Sequence, residues 1–475
     1  MRADRADGSA KVEGKTVSEE SIRNDRFEQF RAYAERRARG EVDVPPLQLL
    51  PHERRWHVRQ TLLEDHRSRI NNRPEGAQTK FDTLAGNVFS FFRGTALLYY
   101  RDHGGSDAHL PIVFTVGDVH PENFGVMPNS DGAPFFGVND FDEAWAAPFS
   151  YDVKRGATGF WIVATENGVK KKDRRRIVRA FVEGYLSAMR AYSQDDRSST
   201  FQFRLDNSPA MIRALLNRAM TDRAAFLADH IDLDTARFRP SKKYVPQSSR
   251  VPEFQKVVDR YVTANTLGDI PRPESFFRVL DVARKKGSGT ASLGLDRFLV
   301  LVEGWDPDPG RSVILEMKQT RRSALYGLVP ANDITPDSDA DDSDSARRVV
   351  AAHQVHLVGG DPLYGFAEID GQSFLVRERS PFKDEIDVED LDDDGLAEYA
   401  GICGQALAQP HARSDAETGI MTGSAEKRIL SSIIPELFCS DVVDFAEIAA
   451  RRVYDDHALF RRDHACGAFQ YWDSE

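Results

Sequence analysis

The chain has 475 residues, 41% of them hydrophobic and 29% charged, with a formal net charge of −12 at pH 7. That length can bury a large core divided into two or three lobes, and the composition is that of a soluble globular protein. The acidic balance disfavours electrostatic attachment to nucleic acid or to an anionic membrane surface. No apolar run approaches the roughly 20 residues of a membrane helix.

Taken in order, residues 1–20 are charged, lack the apolar core of a secretory signal and read as a disordered tail. Ser21 to Ile70 is predicted helical, broken near Val44-Pro45-Pro46. Residues 80–101 are apolar and aromatic with one conspicuous charge, Arg93. A cation in such surroundings needs a carboxylate or phosphate partner, and a structural ion pair is the favoured reading. Cys403, Cys439 and Cys466 are widely spaced, form no CxxC pair and fit a reduced cytoplasm.

Leu110 to Val116 is a short β-branched run, predicted to be a buried strand. It leads into Gly117-Asp118-Val119-His120-Pro121-Glu122-Asn123-Phe124-Gly125. A hairpin follows, Phe124 to Met127 and Phe135 to Val138 about the turn residues 128–132, and delivers Asn139-Asp140-Phe141-Asp142-Glu143. Asp118, Asn123 and Asp140 are thereby expected at neighbouring strand ends, converging on one point. Pro148 to Arg155 then reads as a loop entering a helix with Asp152 near its start. Residues 173–192 carry apolar side chains at helical spacing, and the basic run 170–176 reads as a solvated helix end. Residues 207–268 are expected to be helices and loops.

At Phe276 the pattern changes to strands, 276–284 and 297–303, flanking Lys285 to Gly294. Gly287, Gly289, Ser292 and Gly294 in that small-residue loop would let backbone N–H groups approach phosphate oxygens. A third strand, 312–318, ends on Lys318, an ammonium that needs an anion. The aspartate-rich insert 333–344 is expected to be mobile; its spacing lacks the glycine and glutamate of a calcium loop. A helix over 345–358, a strand over 373–377 and helices over 395–475 complete the chain.

Asp118, Asn123, Asp140 and Lys318 have the chemistry phosphoryl transfer requires: a base or orienting carboxylate, oxygen ligands for Mg²⁺ and a cation for phosphates. Asp142 is either a further metal ligand or a structural carboxylate, and His120 is expected to brace the loop through hydrogen bonds. GDVHPENFG followed by NDFDEAWAAPFSYD resembles the catalytic loop and metal-binding segment of the aminoglycoside phosphotransferase and choline kinase branch of the protein-kinase-like fold. That resemblance implies Asp118 as catalytic base and Asn123 and Asp140 as metal ligands. More widely, the chain is similar over roughly residues 75 to 420 to a bacterial family of unassigned function, DUF2252. The similarity rests on FFRGTA (91–96), the two acidic motifs, YDVKR (151–155), DVARK (281–285), the 289–294 loop, EMK ending at Lys318 and PHARSD (410–415).

In kinases the glycine loop and lysine precede the catalytic loop; here they follow it. The resemblance therefore implies an α+β, two-lobed, circularly permuted protein-kinase-like fold, with a mostly helical lobe and a small antiparallel β-sheet lobe. Its parts would be a tail and helices (1–74), a catalytic region (75–270), a nucleotide-binding β region (271–385) and returning helices (386–475). Helix 345–358 has no Glu for Lys318, and Gln354 is its nearest polar substitute. The expected activity is ATP- and Mg²⁺-dependent phosphotransfer to a small hydroxyl or amino acceptor. The alternatives are a nucleotide-binding regulatory protein without turnover, a nucleotidyltransferase, and a metallophosphoesterase using Asp118 and His120. No nucleic acid or membrane partner is expected, and the oligomeric state is left open.

Overall fold

Four short strands frame the two acidic motifs: β1 (Ile112–Thr115), β2 (Phe124–Pro128), β3 (Pro134–Val138) and β4 (Trp145–Pro148). β2 pairs with β3 as the predicted hairpin, and β1 pairs antiparallel with β4, so that one two-stranded sheet encloses the other in sequence. The turn residues 129–132 close the inner pair, as their Asn-Ser-Asp-Gly chemistry dictates. These coordinates are a computed structural model describing residues 31–32, 34–36, 38–39, 45–267, 271–286, 294–329, 345–415 and 418–471. The predicted tail 1–20, the loop positions Gly287, Gly289 and Ser292 and the insert 333–344 lie outside the described residues.

The chain forms two compact units, Met1–Arg54 and Arg55–Glu475. The first holds a 3-10 turn, Pro46–Gln48, whose Pro46 carbonyl accepts a hydrogen bond from Arg54 Nη1 at 3.3 Å. Everything below concerns the second.

Its larger core is helical. The Lys171–Tyr192 helix buries Ile177, Val178, Phe181, Val182, Tyr185, Leu186 and Met189, the stripe that helical spacing predicts. It packs along the Asp393–Ala412 helix, capped at its start by Asp392. The two approach so closely that a Cβ on Gly404 would lie 2.0 Å from the Phe181 carbonyl oxygen. The Ser150–Glu166 and Pro435–Ala465 helices complete this layer.

The second layer is an antiparallel sheet. Two short strands, β5 (Ile231–Asp232) and β6 (Arg237–Phe238), precede its six members. These are β7 (Tyr244–Pro246), β8 (Val279–Lys285), β9 (Arg297–Val302), β10 (Val313–Gln319), β11 (Gly365–Ile369) and β12 (Gln372–Glu378). Their spatial order is β11-β12-β10-β9-β8-β7. Period-2 alternation sorts the side chains. Val300, Val302, Val313, Leu315, Met317 and Val376 meet Phe254, Val258 and Tyr261 of the Val251–Ala264 helix on one face. Ala283, Leu299, Leu301 and Ile314 meet Leu227, Ile231 and Phe238 on the other.

The protein is thus α+β with small antiparallel sheets. Two expectations need correction. Residues 207–268 contain three short strands, because runs of two or three residues carry too little periodicity to read. Because β7 and the Val251–Ala264 helix pack with the sheet, the β region begins upstream of the expected boundary at 271.

Candidate active site

The loop after β1 is shaped by what lies behind it. Gly117 adopts φ +90°, and a Cβ there would lie 2.0 Å from the Glu143 carbonyl oxygen, so no larger residue fits. Asp152, fully buried in the first turn of the Ser150–Glu166 helix, accepts the N–H of Val116 at 2.6 Å and of Gly117 at 2.9 Å. Its Oδ2 is also 3.0 Å from His411 Nε2, and His411 Nδ1 is 2.9 Å from the Tyr185 hydroxyl. Asp152 therefore acts as the anchor of the loop, one layer behind the cleft.

Asp118 and Asn123 line a small cleft together with Asp140, Asp142, Glu143, Leu295, Gln319, Thr320 and Arg321. Asn123 donates its side-chain N–H to the Asp118 carbonyl at 2.6 Å. Its Oδ1 has no protein donor among the described residues. Asp118 Oδ1 is gripped by Arg155, with Nε at 2.7 Å and Nη2 at 2.5 Å. Arg155 is completely buried, its guanidinium 4.2 Å from the Phe92 ring centre and 4.8 Å from that of Tyr99. Burial pushes the Asp118 carboxyl above the usual carboxylate range; Arg155 pulls the other way, and Glu143 and Asp140 add to the rise.

Lys318 reaches this cleft's carboxylates from β10. Its ammonium pairs with Asp142 Oδ2 and lies 3.7 Å from Asp140 Oδ2. The Asp142 N–H bonds back to Asp140 Oδ1 at 3.2 Å, which fixes the two carboxylates side by side. The pair titrates as a unit. Burial and the Asp142 charge raise Asp140, whereas for Asp142 burial is outweighed by Lys318, with Arg377 and Arg297 behind it, and its pKa is lowered. Two segments thus meet at one point, with Asp142 and Lys318 176 residues apart in sequence.

Other expectations change on contact with the geometry. Gln354 is exposed; the Ser345–His356 helix instead sends Arg348 to the Asp142 and Ala144 carbonyls at 3.0 and 2.7 Å, which holds the acidic segment by its main chain. His120 is buried edge-on against Phe89 (5.9 Å), and its carbonyl rather than its ring braces the loop, accepting Asn123 N–H at 2.9 Å. Arg93 forms a structural ion pair with Glu122, as expected. Gly294, at φ +83°, lies against Gly76 and the Arg69 side chain.

Sequence reasoning missed Arg155, Glu143 and Arg321. Arg155 was legible as the one cation on the buried face of an otherwise apolar helix, three residues after Asp152. Arg321 is clamped between Asp65 and Glu143, the latter at 2.7 Å. Nothing local announced that bridge.

Among the described residues, no three His, Cys, Asp or Glu side chains converge as a metal cluster. Oxygen donors suited to a hard cation are nonetheless present: the Asn123 Oδ1, the Asp140 carboxylate and the Asp142 Oδ1, buried and without a hydrogen-bond partner. The residues fit Mg²⁺ in the mode in which one or two carboxylates share the ion with phosphate and water oxygens.

A family model for an uncharacterized protein conserved in bacteria (DUF2252) matches residues 72–463. No curated protein and no solved structure matches the chain.

Proposed function

We propose, for a chain that belongs to the DUF2252 family, an ATP- and Mg²⁺-dependent phosphotransferase with a circularly permuted kinase-like arrangement. The observation that carries this reading is the approach of Lys318 to the Asp140/Asp142 pair beside the cleft that Asp118 and Asn123 line. Asp118 positions the acceptor. With Oδ1 held by Arg155, Oδ2 is the oxygen available to a hydroxyl or amino proton. Such positioning suffices for a loose phosphoryl transition state, in which little covalent work falls to the protein. Asn123, Asp140 and Asp142 would hold Mg²⁺, which when bound offsets phosphate charge. Lys318 pairs with donor phosphate, and Arg321 adds a second fixed cation at the cleft.

The test is a screen for γ-phosphate transfer from ATP to small hydroxyl and amino compounds, run beside calorimetry of Mg-ATP. Transfer that Asp118→Asn and Asp140→Asn each lower by about 10²–10⁴-fold supports the proposal. The Arg155 clamp favours one second reading, a nucleotide-binding regulator without turnover. Tight Mg-ATP binding with no transfer to any acceptor selects it. Metal-dependent phosphodiester hydrolysis without nucleotide overturns both.

A further inference from the structure

The sheet face that carries Lys318 has a charge pattern that its core function does not explain. Ile314, Glu316 and Lys318 alternate along β10 onto the same face. In the antiparallel register Glu316 stands opposite Arg377 of β12, a favourable pair. Lys318, however, stands opposite Arg297 of β9, two like charges directly across from each other. Such a placement is destabilising on any sheet and more so on a half-buried one.

Around Glu316 the cations accumulate. Lys285 Nζ lies 3.2 Å from its carboxylate, Arg297 Nη1 3.4 Å, Arg377 Nη2 2.9 Å and Arg379 Nη1 3.6 Å. Lys285 and Arg297 side chains are only 9% and 12% exposed, so water does not dissipate their charge. Arg379 Nε meets His230 Nε2 at 3.1 Å, a neighbour that contributes no negative charge. Among the described residues, Lys318 continues this row of cations to the Asp140/Asp142 pair, so that one sheet face gathers Lys285, Arg297, Arg377, Arg379 and Lys318 about a few carboxylates. Burial pulls the Lys285 ammonium down to about 7, Glu316 opposes that, and Arg379 and Arg297 add to the fall. The cations run from the Lys318/Asp140 junction back along β10, β9 and β8 and to the end of β12, where Arg377 and Arg379 are the more exposed members.

We infer that this face, Lys285, Arg297, Lys318, Arg377 and Arg379 arrayed about Glu316, is a polyphosphate-binding floor, so that the donor's phosphate chain rather than its base lies along the sheet. The inference rests on the phosphotransferase reading and deepens it by naming what the donor site recognises. Arginine forks and point-charge lysines suit phosphate oxygens. Glu316 is the gathering charge that holds the cations together before an anion arrives.

Calorimetric titration of the full chain with inorganic tripolyphosphate, adenosine and ATP tests it, with and without Mg²⁺. Tripolyphosphate should bind within about tenfold of ATP while adenosine shows no heat. Arg377→Met and Arg297→Gln should each weaken tripolyphosphate by on the order of tenfold. Thermal melts without ligand identify a variant that fails to fold, and Arg379→Gln, at the partly exposed end of the same patch, then replaces it. ATP binding and transfer without competition from tripolyphosphate overturns the floor and leaves the phosphotransferase standing. Tripolyphosphate binding that the variants weaken, with no transfer from any nucleotide, upholds the floor and removes ATP as the donor. Tripolyphosphate binding unchanged in all three variants also overturns it.

Discussion

Arg155 shows how one buried side chain decides the character of the site. Its guanidinium lies among aromatic rings and has Asp118 as its only carboxylate partner among the described residues. Removing one member of such a pair leaves the other charge stranded in the interior. Arg155→Met should therefore destabilise the fold by about 3–5 kcal/mol in denaturant melts, and adding Asp118→Leu should recover much of the loss. An additive double variant would show that the two groups do not act as a pair. Lys318 makes the companion case. It is the principal reason the Asp142 carboxyl sits low despite burial, so Lys318→Met should raise the Asp142 pKa in a carboxyl NMR titration. An unchanged titration would mean that Arg377 and Arg297 alone hold it. The acidic residues themselves were legible because they are adjacent in sequence. Arg155 left only a local trace, a cation on a buried helix face, whereas Arg321 and Glu316 left none, because they take their meaning from partners 19 to 256 residues away.

At the scale of elements, the strand, hairpin and helix around the first motif follow from local pattern: a β-branched run, a polar turn, and an acid at a helix start. What the pattern cannot express is close approach. Gly117 passes the Glu143 carbonyl where a methyl group has no room, and its φ is one that alanine resists. Gly117→Ala should cost about 2 kcal/mol or more and displace Asp118, lowering any measured transfer together with the melting temperature. Asp152→Asn makes a contrasting prediction. It keeps an acceptor for only one of the two N–H groups of Val116 and Gly117, so the loop amides should exchange faster while the distant β8–β10 ladder keeps its protection. Loss of protection across the whole chain would instead make Asp152 a residue of global stability. The missed strands β4, β5, β6, β7 and β11 are short or half polar, and they form because a neighbouring strand offers its free edge.

For the whole molecule, acidity is the clearest lever. Burial lowers His353 and His356 of the Ser345–His356 helix to about 3 each. The unfolded chain then binds protons below its ordinary histidine pKa of 6.5 while the folded chain does not, so stability is present above that pH and is lost as pH falls toward 3. Each histidine should contribute about 2 kcal/mol of loss by pH 5. His356 Nε2 donates to the Phe114 carbonyl in β1 at 2.7 Å, so acid strain reaches the strand that leads into Asp118. Denaturant midpoints measured from pH 7 to 5 should fall in the natural chain and fall less in His356→Gln. Equal slopes would exclude His356 as a source.

The Asp152 anchor also has a consequence for the order in which a ribosome delivers the chain. Asp118 is translated 293 residues before His411, yet His411 against Asp152 and Ser414 Oγ accepting the Phe114 N–H at 2.9 Å are among the contacts that steady its loop. A nascent chain that stops before His411 has Asp152 and Arg155 in place but lacks the contacts of His411 with Asp152 and of Ser414 with β1. The loop therefore lacks its full support until residues 411–414 have been made, and its maturation includes a long-range docking event rather than a purely local one.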